Sequence, residues 1–294
     1  MLRPMTPPLQ TTQATDGRAP SWVSARQRGQ EAPKGSIPSW FYPVAATGTV
    51  VGLWWALTAV GIWSELILPS PSQVWHAFVQ SVTERDGRPG LSGYYLWEHL
   101  WASLWRIVRG VAWALVVGAP LGLALGLWRP FERFAGPIVS FLRSLPPLGY
   151  FSLLIIWFGI DDTSKVWLLF LAAFAPISLS VAAGVASTRI ERINASLVLG
   201  GNNAQVVRYV VLPSVVPDLI TGLRVAVGFA WTTIVAAETS NGIPGIGGLA
   251  WATKKELRSD VAILCVIVIG ITAVLLDYGI RQFEKKYAGW YGRL

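Results

Sequence analysis

The chain has little charge and few of the side chains that hold metals or perform covalent catalysis. Of its 294 residues, 14% are Asp, Glu, Lys or Arg, against about 25% in a soluble domain. Much of its surface therefore faces something other than water. A single cysteine, Cys265, excludes an intrachain disulfide. With only His76 and His99 beside it, no ligand cluster has metal-binding spacing, so no metal site is expected. The sequence contains no G-x-x-x-x-G-K-[ST], hence no phosphate-cradling loop for ATP. An intramembrane protease would need a nucleophile paired with a base at depth, and no histidine lies in a long apolar stretch. The chain is expected not to be an enzyme. Residues 1–39 lack the apolar core of a signal peptide and are rich in Pro, Gln, Thr, Ser and Gly. That segment is expected to be a disordered cytoplasmic tail, and residues 40–294 a membrane domain.

What is present in quantity is apolar surface. Hydrophobic residues make up 53% of the chain, and sixteen are tryptophans, which favour membrane–water interfaces. A hydrocarbon core of roughly 30 Å needs roughly 20 apolar residues in a helix. Six stretches meet this: about 44–63, 107–128, 137–158, 166–185, 219–238 and 261–280. The third is interrupted by Arg143 and Pro146-Pro147, and the fifth carries Arg224 in its first turns. The fold class expected is all-α integral membrane. With the N-terminus on the cytoplasmic side, that side receives fifteen Lys and Arg and the other receives eight, so both termini are expected inside. The net charge of +8 is then a loop property and points to no nucleic-acid partner, since no recognition motif accompanies it.

Between the fourth and fifth stretches, residues 188–213 are amphipathic rather than spanning. Asn194-Ala195-Ser196 is followed after three residues by Gly200, and nine residues later by Val210-Val211-Leu212-Pro213. This reads as two short helices joined at Gly200-Gly201, where a left-handed residue ends the first. Asn202 or Asn203 then caps the second, and Pro213 marks the boundary before the fifth span. Ala204, Val207 and Val211 share one face of the second helix, suited to docking in a groove of a partner. Earlier, Leu68-Pro69-Ser70-Pro71 reads as a turn into a short interfacial helix.

This loop resembles the EAA loop of bacterial ABC importer permeases, with Gly200, Leu212 and Pro213 at the family's spacing and Val210 in place of Ile. Asn194 and Ser196 depart from the family's Glu and second Ala. The segments Leu68-Pro69-Ser70-Pro71, Arg143-Ser144-Leu145-Pro146-Pro147-Leu148-Gly149-Tyr150, Ile156-Trp157-Phe158-Gly159 and Thr221-Gly222-Leu223-Arg224 are similar to the nitrate, sulfonate and taurine branch, and most similar to its taurine permeases. The resemblance implies the type I importer fold with about six transmembrane helices, in the bacterial inner membrane. It implies two permease copies, two ATPase subunits that bind ATP and Mg, and a substrate-binding protein. Coupling to the ATPase is then expected at Ala195, Gly200, Ala204, Val207, Leu212 and Pro213. Alternatives are import of another aliphatic sulfonate or nitrate, and, from another class, an ion-coupled secondary transporter.

Along the path itself, Pro146-Pro147 either break a pore-lining helix or kink one near the interface. Arg143, one turn earlier, is expected to snorkel to that interface. Glu238, just before Gly242–Gly248, is either a gate or pore residue or a locally satisfied interfacial charge, with Gly245 in the adjoining loop. Trp231 and Thr232 are deeper candidates for the path. Arg224 either pairs with Asp218 or Glu191 or meets an anionic substrate. Gly118, Gly122 and Gly126 line one helix face, for packing within the chain or along a dimer seam.

Overall fold

The computed structural model describes residue 38, residues 41–85 and residues 87–287. Apart from Pro38, the expected N-terminal tail lies outside the described residues. The described residues up to Leu53 and those from Trp54 onward fall in two compact units. Helix α1 (Phe41–Ala59) carries no charged residue and buries none of its side chains. Helix α2 (Pro71–Val82) follows. It opens as the sequence indicates: Ser70 Oγ accepts from Gln73 N–H at 3.4 Å, and Gln73 Oε1 accepts from Ser70 N–H at 2.8 Å, a reciprocal cap. Strands β1 (Glu84–Arg85) and β2 (Arg88–Pro89) pair antiparallel.

The remaining elements are helical. They are α3 (Leu96–Leu127), α4 (Arg129–Ser144), α5 (Pro147–Phe158), α6 (Asp162–Ala186), α7 (Ile190–Val198), α8 (Asn203–Val206) and a π-helical segment (Val207–Val211). Helices α9 (Leu212–Asn241), α10 (Ile246–Glu256) and α11 (Ser259–Tyr287) complete the chain. Among the described residues four helices are long and apolar enough to cross a membrane, or five spans if the bent pair α4–α5 counts as one. The other expected span is α1, whose 19 residues reach about 28 Å at 1.5 Å per residue.

Helix α6 lies at the centre, packed along α3 on one side and α9 on the other. The glycine stripe of α3 makes the first of these contacts possible. A Cβ on Gly110 would lie 2.5 Å from Leu169 Cβ, one on Gly122 2.4 Å from the Ser178 carbonyl oxygen, and one on Gly126 2.5 Å from Val185 Cβ. The stripe is thus an intrachain seam, in which missing side chains let two backbones approach. The main core joins Ala114, Ile177, Ala226, Trp231, Ile246 and Cys265. Outward faces remain apolar, as at Val116, Ile156 and Val274, which suits lipid rather than water.

Three expected boundaries are corrected. The second span starts at Leu96, eleven residues before Ile107, so Arg106 and Arg109 lie inside α3. The fourth starts at Asp162, so Lys165 lies inside α6. Removing these three from the outer loops lowers that side's tally of basic residues from eight to five. Hydropathy alone leaves Arg106 and Lys165 just outside the apolar stretches, because each charge depresses the average around it, and counts Arg109 with the outer loop although it lies within 107–128. Thirdly, Pro213 ends nothing: residues 203–240 form one continuous 38-residue helix. Pro213 lacks the N–H that would bond Tyr209, and its ring would crowd that carbonyl. The π-helical turn just before it, where Leu212 N–H reaches back five residues to Val207 O, widens the helix at that point.

Candidate functional site

Two regions concentrate polar chemistry in an otherwise apolar molecule. The first is a buried ion-pair cluster where α3, α6, α9 and α10 meet. His99, Ser103, Arg106 and Gly110 recur at helical spacing on the buried face of α3. Glu238, three residues before the end of α9, is fully buried. Its carboxylate accepts from Arg106 Nη1 at 2.7 Å, from Ser103 Oγ at 2.8 and 2.9 Å, and from Gly247 N–H at 2.9 Å. Arg106 also donates from Nη1 to Pro244 O at 2.9 Å and from Nε to Asp162 Oδ1 at 2.7 Å. Arg109 joins Asp162 at 3.2 Å, and Lys165 lies 3.9 Å from it.

This arrangement holds the turn between α9 and α10 against α3. A Cβ on Gly245 would lie 2.2 Å from Gly242 O and 2.6 Å from Glu238 Cδ, and one on Gly247 2.2 Å from Val235 O. Glycine is required there so that backbone N–H groups can reach the carboxylate. His99 closes the cluster: Nδ1 accepts from Gly245 N–H at 3.1 Å, and Nε2 lies 3.1 Å from Leu91 O. The tautomer with the proton on Nε2 satisfies both contacts. The carboxylate thus meets a guanidinium, a hydroxyl and a backbone N–H, the kind of compensation under which a buried charge is tolerated. Glu238 is a buried, hydrogen-bonded charge that anchors the Gly-rich turn, a role compatible with either reading of it.

The second region is the hairpin α7–α8. Gly200 has φ +85°; its N–H bonds Leu197 O at 2.9 Å, and Gly201 N–H bonds Ser196 O at 3.0 Å. These two bonds define a left-handed C-terminal cap. Asn202 then starts the next helix, with Oδ1 accepting from Gln205 N–H at 2.9 Å and Gln205 Oε1 accepting from Asn202 N–H at 2.8 Å. Of the expected coupling residues, Ala195, Gly200, Ala204, Leu212 and Pro213 are exposed and Val207 is half-buried. The side that packs inward is carried by Val206, Val211 and Val215 against Val181 of α6, so Ala204 and Val207 do not share the buried face with Val211. At the tip, Val198 and Leu199 are 87% and 88% exposed, an apolar knuckle without cover among the described residues.

The other candidates sort differently. Trp231 is buried, and its Nε1 donates to Ile269 O of α11 at 3.2 Å. Thr232 is exposed but turns its hydroxyl to Phe229 O of its own helix at 3.0 Å. Arg224 meets neither Asp218 nor Glu191: it pairs with Asp277 at 2.5 Å, and Glu284 lies 3.9 Å away. Asp218 instead packs beside Gly184 of α6, where a Cβ would approach its own Cβ to 2.9 Å. Pro146 and Pro147 stand at a 97° bend between α4 and α5, so the third span is broken. Arg143 is exposed at the end of α4. It lines a cavity of about 560 Å³ with Pro176, Leu179, Ser180, Val225 and Phe229.

Ser103, Arg106 and Asp162 were not singled out from sequence, although the spacing 99, 103, 106, 110, 114 was a readable signal. It becomes visible once the helix is extended through its charges.

The sequence profile of a family described as the binding-protein-dependent transport system inner membrane component matches residues 115–289. The taurine transport system permease protein TauC of Escherichia coli K12 is 37% identical, over 85% of this chain and 90% of that protein. The aliphatic sulfonates transport permease protein SsuC of the same organism is 31% identical over 86% and 92%. The bicarbonate transport system permease protein CmpB of Synechococcus elongatus is 34% identical over 67% and 71%. Among solved structures, the MetNI methionine ABC transporter in an inward-facing conformation aligns with a TM-score of 0.52 at 21% identity. The match covers 64% of this chain and 96% of that one, a likeness of fold alone.

Proposed function

The chain belongs to the family of binding-protein-dependent transport system inner membrane components, and from that premise we propose that it forms the translocation pathway of an ATP-driven importer for a small sulfonate such as taurine. The observation that carries the coupling half of this reading is the α7–α8 hairpin. It is a rigidly capped, surface-exposed turn with an apolar tip at Val198 and Leu199. Such a knuckle fits a groove on a partner, here the ATPase subunit that binds ATP and Mg. The substrate half rests on the 37% identity to the taurine permease. Another aliphatic sulfonate is the second reading, favoured by the 31% identity to SsuC. Nitrate belongs to the same class of small anions.

The working assembly is two copies of this chain, two ATPase subunits and a substrate-binding protein, in the bacterial inner membrane with both termini cytoplasmic. Closure of the ATPase pair on ATP moves the hairpins. The 38-residue helix 203–240, about 57 Å long at 1.5 Å per residue, carries that movement from the hairpin to the Glu238 cluster at its other end. The chain itself cleaves no bond; its own residues dock the motor, transmit its stroke and shape the path. An ion-coupled transporter would have no use for the exposed hairpin.

The test is ATPase activity of the purified complex, with binding protein loaded with taurine, an alkanesulfonate or nitrate. Stimulation by taurine above the other two is expected. No stimulation by any of the three refutes the assignment.

A further inference from the structure

Arg143 is the residue that the fold leaves unexplained. It closes α4 just before the 97° bend at Leu145-Pro146. The cavity it lines also touches Pro176, fourteen residues into α6, and Phe229, seventeen residues into α9. At 1.5 Å per residue Pro176 lies about 21 Å along the roughly 37 Å of α6, and Phe229 about 39 Å along the roughly 57 Å of the helix 203–240. Both positions lie inside long apolar helices, away from their ends, and a charge beside them is expensive and is retained next to a partner or a wet cavity.

Among the described residues, Arg143 has no ion pair and no side-chain hydrogen bond. The chain's other mid-span cations are compensated: Arg106 by Glu238 and Asp162, and Arg224 by Asp277. Two hydroxyls border the same space without a hydrogen-bond partner among the described residues. Ser180 lines the cavity of about 560 Å³ with Arg143, and Tyr150 lines a smaller adjoining one, also with Arg143, Pro176 and Phe229. The other walls are Pro, Leu, Val and Phe. One fixed cation and two hydroxyl donors in an apolar cavity lack an acceptor that carries negative charge. A planar guanidinium matches an oxyanion bidentately. Among the described residues no carboxylate lines either cavity.

We infer that Arg143, with Ser180 and Tyr150, forms the mid-membrane binding site for the oxyanion head of the transported solute. This rests on the importer reading above and deepens it. It transfers the anion-recognition role from Arg224, whose charge is already neutralised, to Arg143. Taurine, alkanesulfonates and nitrate share the required chemistry, an anionic group with several oxygens on one centre. The apolar walls take the short carbon chain of a sulfonate.

The experiment uses the complete transporter in proteoliposomes, purified through a tag on its ATPase so that only assembled permease is assayed. ATP-driven uptake of taurine, ethanesulfonate and nitrate is measured for the parent, Arg143→Gln and Arg143→Lys, and for Ser180→Ala and Tyr150→Phe. Arg143→Gln should lose at least tenfold of the parent's uptake, chiefly through a raised KM. Arg143→Lys, which keeps the charge and loses the fork, should retain a third or more. Each hydroxyl variant should lose about threefold. Uptake by Arg143→Gln within twofold of the parent overturns the inference, as does an Arg143→Lys no better than Arg143→Gln. A parent that imports nitrate but no sulfonate refutes the sulfonate assignment, while loss of that uptake in Arg143→Gln still supports the anion site. A parent that imports none of the three solutes overturns both.

Discussion

Replacing Glu238 by Ala removes a carboxylate that is fully buried and accepts hydrogen bonds from Ser103, Arg106 and Gly247. The Arg106 side chain is only 5% exposed, so water cannot take over the lost contact. Asp162 remains beside Nε, but Nη1 keeps only the Pro244 carbonyl. Breaking a buried pair from one side costs about 3–5 kcal/mol, and the orphaned Gly247 N–H adds to it. For a chain of this size, 1 kcal/mol moves the melting midpoint by about 2–4 °C, so a fall of roughly 6–20 °C is expected. Cys265, the only cysteine and completely buried, provides the readout. In detergent, a thiol-reactive fluorophore reports its exposure as the helices separate. Glu238→Gln, which keeps an acceptor of the same shape, should fall by less. Arg106→Ala should fall about as far as Glu238→Ala, and the double variant should fall by much less than the two combined. A Glu238→Ala midpoint within about 2 °C of the parent, or additive losses in the double variant, would refute the claim that this pair holds the α9–α10 turn on α3.

Two further substitutions test the packing seam and the hairpin. Gly122→Val should destabilise the chain by about 1–3 kcal/mol or more, because its Cβ would meet the Ser178 carbonyl oxygen at 2.4 Å. Gly270→Ala, with nothing within 4 Å of the added carbon, should leave the Cys265 midpoint unchanged or slightly raised. Gly200→Val places a β-branched residue at φ +85°, a conformation it strongly disfavours. The complex should then lose stimulation of its ATPase by loaded binding protein, while the Cys265 midpoint of the isolated chain stays near the parent's. Retention of full stimulation would separate the hairpin from coupling.

What could be read from sequence divides by the range of the interactions. The hairpin was legible because its determinants are local: Gly200, Asn202 and Gln205 make their decisive bonds within five residues. The turn at Leu68-Pro69-Ser70-Pro71 into α2 was legible for the same reason. The glycine stripe on α3 announced a close helix contact, but its partner α6 became known only in three dimensions. The ion-pair cluster was hidden because Arg106 finds Glu238 132 residues away, and a hydropathy average reads a charge as a loop whether it is solvated or paired. The same averaging set the second span eleven residues late. For Arg224, proximity in sequence suggested Asp218, whereas the packing of α9 against α11 supplied Asp277 instead. The π-helical turn before Pro213 had no periodic signature over its five residues. The break of the third span was visible as Pro146-Pro147, but its 97° angle and the cavity beside Arg143 were not.

The central claim is that this chain moves a small sulfonate with energy borrowed through its α7–α8 hairpin. Taurine accumulation in proteoliposomes holding the chain, its ATPase and its binding protein tests that most directly, with ATP on the hairpin side and ion gradients collapsed. Accumulation against a gradient that requires both ATP and the binding protein is the predicted result. Accumulation without ATP when an ion gradient is imposed, or none with ATP and binding protein together, would contradict it.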